Sequence, residues 1–164
     1  MATQKEIARF FQLALRSGLV ETMAIERWAD SVIAAEPVAR HPITELAGAS
    51  RMSRSIVDEL LGQVTGHCEL HVPGRIVLAL LRRHLRDRTV TPDAAIKLAL
   101  EIGFAGPLTD EERHRADGLD DSLLLAANGT YGTLDDVRQE VAEFLERYAE
   151  FDDQIPVEVN RHDK

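Results

Sequence analysis

Apolar residues return every three or four positions along almost the whole chain, and hardly any stretch alternates apolar with polar. That period belongs to amphipathic helices and excludes a fold built on half-buried strands. Ile7, Phe10, Phe11, Ala14 and Leu15 make the first stripe, capped by Thr3 and stopped at Gly18. Ile25, Trp28, Ala29, Val32 and Ile33 make a second, from about Thr22 to Glu36-Pro37. Pro42 suits the start of a short third helix carrying Ile43, Leu46 and Ala47. Ser55 with Asp58 resembles a capping pair ahead of Ile56, Val57, Leu60, Leu61 and Val64.

The stretch Gly66 to Gly74 breaks the pattern and reads as a loop, with a fifth helix from about Arg75 to Arg86. Thr91-Pro92-Asp93 combines a cap, a proline for the first turn and an acid near the positive end of the helix dipole. Gly103 is expected to end that helix. Thr109 and Glu112 spell a capping box for the next, with an interruption expected at Gly118 and resumption through Leu119, Leu123, Leu124 and Ala127. Asn128-Gly129 marks a turn. Thr133 then caps a last helix whose stripe is Leu134, Val137, Val141, Phe144, Leu145 and Tyr148. The expectation is an all-α fold, a single domain of about seven or eight helices over residues 1–151, followed by a polar, frayed tail over residues 152–164.

A faint repeat runs at an offset of 70: Leu15, Arg16, Val20, Ala24 and Ala29 return as Leu85, Arg86, Val90, Ala94 and Ala99. Both copies read as helix, short turn, helix. Because Leu and Ala abound in helices, coincidence explains the match as well as duplication does; duplication would imply stacked helical hairpins.

Charge narrows the class of partner. Lys and Arg number 19 against 28 Asp and Glu, for a net charge of −9. Residues 91–164 hold 7 basic and 18 acidic side chains, whereas residues 37–90 hold 8 and 5. An acidic surface repels phosphate and attracts cations, so a cationic protein is the expected partner and nucleic acid is disfavoured. One cysteine, Cys68, allows no internal disulfide. Met1 to Arg9 shows no apolar h-region, and the apolar run Ile76 to Leu81 falls far short of the roughly 20 residues that span a bilayer. A cytoplasmic protein without a membrane segment is the expectation.

Four constellations bear on chemistry. His67-Cys68-Glu69-Leu70-His71 would place two imidazoles one turn apart if helical, the basis of a metal-dependent enzyme reading. No third ligand is identifiable, and Gly66 and Pro73-Gly74 oppose a helix, so no metal and no cofactor are expected. Ala47, Met52-Ser53, Val57 and Leu60 resemble helix-turn-helix spacing, the basis of a DNA-binding regulator reading. Arg51 stands where the turn usually has glycine, and Asp58 and Glu59 weaken a recognition helix led by Arg54. Arg82, Arg83, Arg86 and Arg88 concentrate positive charge, read as a solvated stripe that favours a helix C-terminus and pairs with the acidic half. Asp117, Asp120 and Asp121 with Asp135 and Asp136 concentrate negative charge and are expected near helix starts, where anions favour the dipole; no nucleophile, phosphate loop or triad accompanies them, so catalysis is not expected.

Asp121-Ser-Leu-Leu-Leu-Ala-Ala-Asn-Gly-Thr-Tyr-Gly-Thr-Leu-Asp-Asp-Val with Phe144-Leu145, and Phe11-Gln-Leu-Ala-Leu-Arg-Ser-Gly-Leu-Val with Trp28-Ala29-Asp30, cover the two ends of the chain. They resemble small bacterial helical proteins of unassigned function, similar to immunity proteins encoded beside polymorphic toxins. The resemblance implies a non-enzymatic interaction module and carries no catalytic residue. The partner-binding surface expected from charge is Asp120, Asp121, Asp135 and Asp136 with exposed Tyr131; Trp28 is expected in the core.

Overall fold

Thr3, Thr91, Thr109 and Thr133 each accept a hydrogen bond from the amide three residues on, so four helices begin where a side chain satisfies an otherwise orphaned donor. The structure, a computed structural model, describes residues 1–36, 38 and 41–160. Pro37, expected to stop the second helix, and residues 161–164 of the expected tail lie outside them. The described residues form eight α-helices and three short 3-10 segments, with no strand among them. The all-α expectation holds.

The chain divides into two compact units, residues 1–69 with the segment from Gln154, and residues 70–153. The first contains α1 (Gln4–Arg16), α2 (Thr22–Ala35), α3 (Ile43–Leu46), a 3-10 segment (Ala49–Arg51) and α4 (Arg54–Gln63). Helix α1 packs on α4, and α2 packs on α3 and on a second 3-10 segment, Val157–Asn160. Phe10, Phe11, Ile25, Trp28, Leu46 and Leu61 fill its core; the Phe11 and Trp28 rings lie 5.4 Å apart. The cap of α4 is Ser53, not Ser55, so the helix begins two residues earlier than expected, at Arg54.

Polar rungs tie α1 to α4 and to the loop beyond it. Buried Glu6 closes the capping box with Thr3 and also accepts from the Glu69 amide at 2.9 Å. Thr3 Oγ1 donates to the His67 carbonyl at 2.7 Å, and Lys5 Nζ to that of Gly62 at 3.0 Å. Gln12 donates to the Asp58 carbonyl, and Arg16 grips the Asp58 carboxylate through two nitrogens at 2.7 and 2.8 Å. Burial pushes the Glu6 carboxyl upward, but hydrogen bonds from the Thr3 and Glu69 amides outweigh it and hold the group below its ordinary value.

The second unit contains α5 (Val72–Arg86), α6 (Pro92–Phe104), α7 (Asp110–Ala127) and α8 (Leu134–Glu146). Helix α5 begins at Val72, three residues before the expected start, because Pro73 is tolerated in a first turn. Gly74 is required there: a Cβ would lie 2.7 Å from the Pro107 carbonyl oxygen. Gly103 does not end α6, which continues to Phe104. Nor does Gly118 interrupt α7, which runs unbroken for 18 residues on the buried stripe Ala116, Leu119, Leu123 and Ala126. That continuity corrects the phase. Leu124, expected inward, is 62% exposed, and Ala127 is exposed as well.

Arginines at the end of α5 are bound more tightly than a solvated stripe would be. The Arg82 side chain is 13% exposed and meets Glu146 at 2.6 Å and Asp152 at 3.0 Å. Arg83 donates to the Asp152 carbonyl at 2.5 Å. Within the segment expected to be a polar tail, residues to Gln154 and Val157–Asn160 are 3-10 turns and Ile155 is buried.

Three helices end by the same pair of bonds, with the next residue in the left-handed region: Gly18 after α1 (φ 70°), Arg88 after α5 (φ 58°) and Gly129 after α7 (φ 69°). Leu19, Thr89 and Thr130 each donate five residues back, to Ala14, His84 and Leu125, at 2.8 to 2.9 Å. Gly18 and Arg88 stand at the offset of 70 seen in the sequence. So do the ends of α1 and α5, Arg16 and Arg86, and the starts of α2 and α6, Thr22 and Pro92. In each unit the first helix packs on the fourth, the second on the third, and the third on the fourth.

Candidate functional site

On α7 the stripe opposite the core runs through Asp117, Asp121, Leu124 and Leu125 to the capping Asn128, all exposed. At ~1.5 Å of rise per residue, Asp117 and Leu124 stand about 10 Å apart along one face. The turn after this helix carries Tyr131, 70% exposed, and the first turn of α8 carries Asp135 and Asp136, both exposed. The five expected partner-binding residues thus lie on one helical hairpin of the second unit. Asp120 differs from the other four: it is half-buried on the flank of α7 rather than on the outer stripe.

Their roles in the fold are unequal. Asp136 accepts from the Thr133 hydroxyl at 2.7 Å and Asp135 lies 3.7 Å from Arg138, so both belong to the start of α8, where the dipole favours anions. Asp120 and Asp121 do not sit near a helix start. They occupy the C-terminal half of α7, beyond the first turn that favours anions, and have no ion-pair or hydrogen-bonding side-chain partner among the described residues. Asp117 likewise lacks one among them. Neighbouring cations are engaged elsewhere: Arg115 with Glu140 at 3.3 Å, Arg113 with Asp110 at 3.0 Å, and Arg138 with Asp93 at 3.0 Å. Bonding to Arg138 holds the Asp93 carboxyl below its ordinary value.

Sequence reasoning misses Leu124 and Leu125. Leu124 is 62% and Leu125 is 42% exposed, so α7 presents apolar side chains beyond its aspartates, ahead of the turn that carries exposed Tyr131. The signal is the phase set by Ala116, Leu119 and Leu123, legible only if the helix is carried through Gly118.

Other constellations take different forms. His67 and Cys68 lie in irregular backbone and His71 is the residue before α5, so the helical spacing a metal would bridge is not formed. Among the described residues no group of three or more His, Cys, Asp and Glu side chains is arranged to hold a metal ion. Burial pushes the Cys68 thiol up, away from the thiolate. In the helix-turn-helix segment, α3 is one turn long and a 3-10 segment separates it from α4. Arg54, the cation of α4, grips Glu21 at 2.8 and 2.9 Å. A shallow polar cleft in the first unit is bordered by Gln4, Glu36, His41 and Thr65; there His41 meets Glu45 at 2.9 Å and Gln4 donates to Glu36.

No helix among the described residues is long and apolar enough to cross a membrane. Compared with protein-family models, with curated proteins and with solved structures, the chain matches none.

Proposed function

We propose that this chain is a non-enzymatic, cytoplasmic interaction protein of the immunity type, which neutralises a cationic protein by docking the α7–α8 hairpin against it. The observation that carries the reading is the placement of Asp117, Asp120 and Asp121. Acids at a helix start serve the helix; these occupy the middle and C-terminal half of α7, unpaired among the described residues and too far from its first turn to serve its start. A charge that the fold does not use is available to steer a partner. The bacterial setting and the inhibitory role rest on the resemblance of the two ends of the chain to immunity proteins.

The test is association with the protein encoded beside this one, followed by stopped flow across a range of salt. Screening over ~8–10 Å should slow association by about tenfold between low and physiological ionic strength and beyond. Replacing Asp120, Asp121, Asp135 and Asp136 by Lys should slow it comparably at low salt, with only a modest stability loss of about 0.3–1 kcal/mol at each of Asp135 and Asp136. No association, or a large loss of stability with unchanged association, overturns the reading.

A further inference from the structure

Resting on that reading, we infer that the element docked on α7 is a basic amphipathic helix whose apolar side covers Leu124, Leu125 and Tyr131 and whose cations meet Asp117 and Asp121. Unpaired carboxylates explain attraction, but not two adjacent outward leucines. On an 18-residue helix that already buries Ala116, Leu119, Leu123 and Ala126, Leu124 and Leu125 lie off the core stripe and leave 62% and 42% of their surface exposed. Exposed apolar side chains beside a solvated aromatic form the kind of patch whose burial supplies most of the energy of an interface, with charge at the rim supplying orientation and rate.

The order of residues sets the pattern required of the partner. Asp117 and Asp121 are one turn apart, Leu124 comes next on the same face, and Leu125 flanks it. A straight helix laid along this stripe offers side chains at the same ~5–6 Å interval, so Arg or Lys spaced by four and then Leu or Phe a turn further on would match it. A second copy of this chain is the poorer occupant. An isologous contact would bring a second copy of the same face, which carries no cation to meet Asp117 and Asp121.

The experiment titrates the full-length, 15N-labelled protein with two synthetic peptides of identical Leu and Arg content. One has leucines on a single helical face with flanking arginines; in the other the order is permuted so that no face is apolar. The amphipathic peptide should shift the amides of residues 117–131 and bind at least about tenfold tighter than the permuted one. Leu124→Ser with Leu125→Ser should remove that advantage while the helical circular dichroism of the folded protein is retained, and Tyr131→Ser, in a turn, should reduce it independently. Equal binding of both peptides, no effect of the leucine and tyrosine variants, or shifts away from α7 would overturn the inference. Equal binding that still tracks the aspartates would leave charge-steered docking standing, whereas loss of the salt dependence would remove the proposed function itself.

Discussion

Replacing Gly118 by Ala should stabilise the protein. The residue is ninth of 18 in α7, its φ is not in the left-handed region, and a Cβ built there meets nothing within 4 Å. The added methyl therefore enters solvent without displacing a neighbour. Glycine in a helix interior is ~0.8–1.0 kcal/mol less favourable than alanine, chiefly through the freedom it retains when unfolded. The Ser122 hydroxyl donates to the Gly118 carbonyl at 2.7 Å, a bond the substitution leaves in place. A gain of about 0.5–1 kcal/mol is expected, which in a chain of this length raises the melting temperature by roughly 1–4 °C. Urea unfolding read by circular dichroism would show a higher midpoint at unchanged slope. Gly74→Ala is the internal contrast: its Cβ would lie 2.7 Å from the Pro107 carbonyl oxygen and 3.0 Å from Leu108 Cδ2, so it should destabilise by about 1–3 kcal/mol. A neutral or destabilising Gly118→Ala would refute the reasoning and restore a break in α7.

Arg88→Gly should stabilise by about 1 kcal/mol, because Arg88 holds φ at 58° where glycine is unstrained; thermal unfolding reads the gain. Glu6→Ala should cost about 1–3 kcal/mol by opening the capping box and orphaning the Glu69 amide, and hydrogen exchange should speed at that amide. Glu6, Glu26, Asp93, Glu112 and Glu146 are all held below their ordinary values, which for the glutamates is 4.5. A group depressed in the folded state contributes stability above its unfolded value and loses it as pH falls through the folded one. Urea midpoints should therefore be level above about pH 5 and fall progressively below about pH 4.5, less steeply in Glu112→Gln. That carboxyl is pushed up by burial but is held down by the Thr109 amide and by Arg75 at 2.8 Å.

Helix starts are the most legible part of the fold, because a capping threonine acts on an amide three residues away and both are close in the sequence. Helix continuity is less legible. Gly118 and Gly103 look like breaks by local propensity, yet the buried stripe through Leu119 and Leu123 holds α7 together across the weaker residue. Gly74 reads as loop for the opposite reason: the contact that requires it, with Pro107, is distant in sequence. The same phase error conceals the outward leucines. Asp121, Tyr131, Asp135 and Asp136 read as surface from charge and turn chemistry alone, and they are exposed. Asp120 shows the danger of treating neighbours as equivalent: one residue along a helix is a rotation of about 100°, enough to carry a side chain from the open face to its flank.

The coincidence of helix ends at an offset of 70 separates what the two halves share from what they do not. The α1–α2 and α5–α6 hairpins correspond in their turns, down to the left-handed residue that closes each first helix. Beyond them the helices still pack in the same order, but the residue-for-residue correspondence lapses. Residues 117–128 of α7 would align with 47–58, a stretch broken into a 3-10 segment, a cap and the start of α4. The common hairpin is therefore generic scaffold, and the acidic, leucine-bearing face lies on the portion without a counterpart. Variation between relatives of this chain should then be read in two registers. Changes in the paired hairpins would tune how well the fold holds, and under the proposed function changes along α7 and its turn would alter which partner docks there.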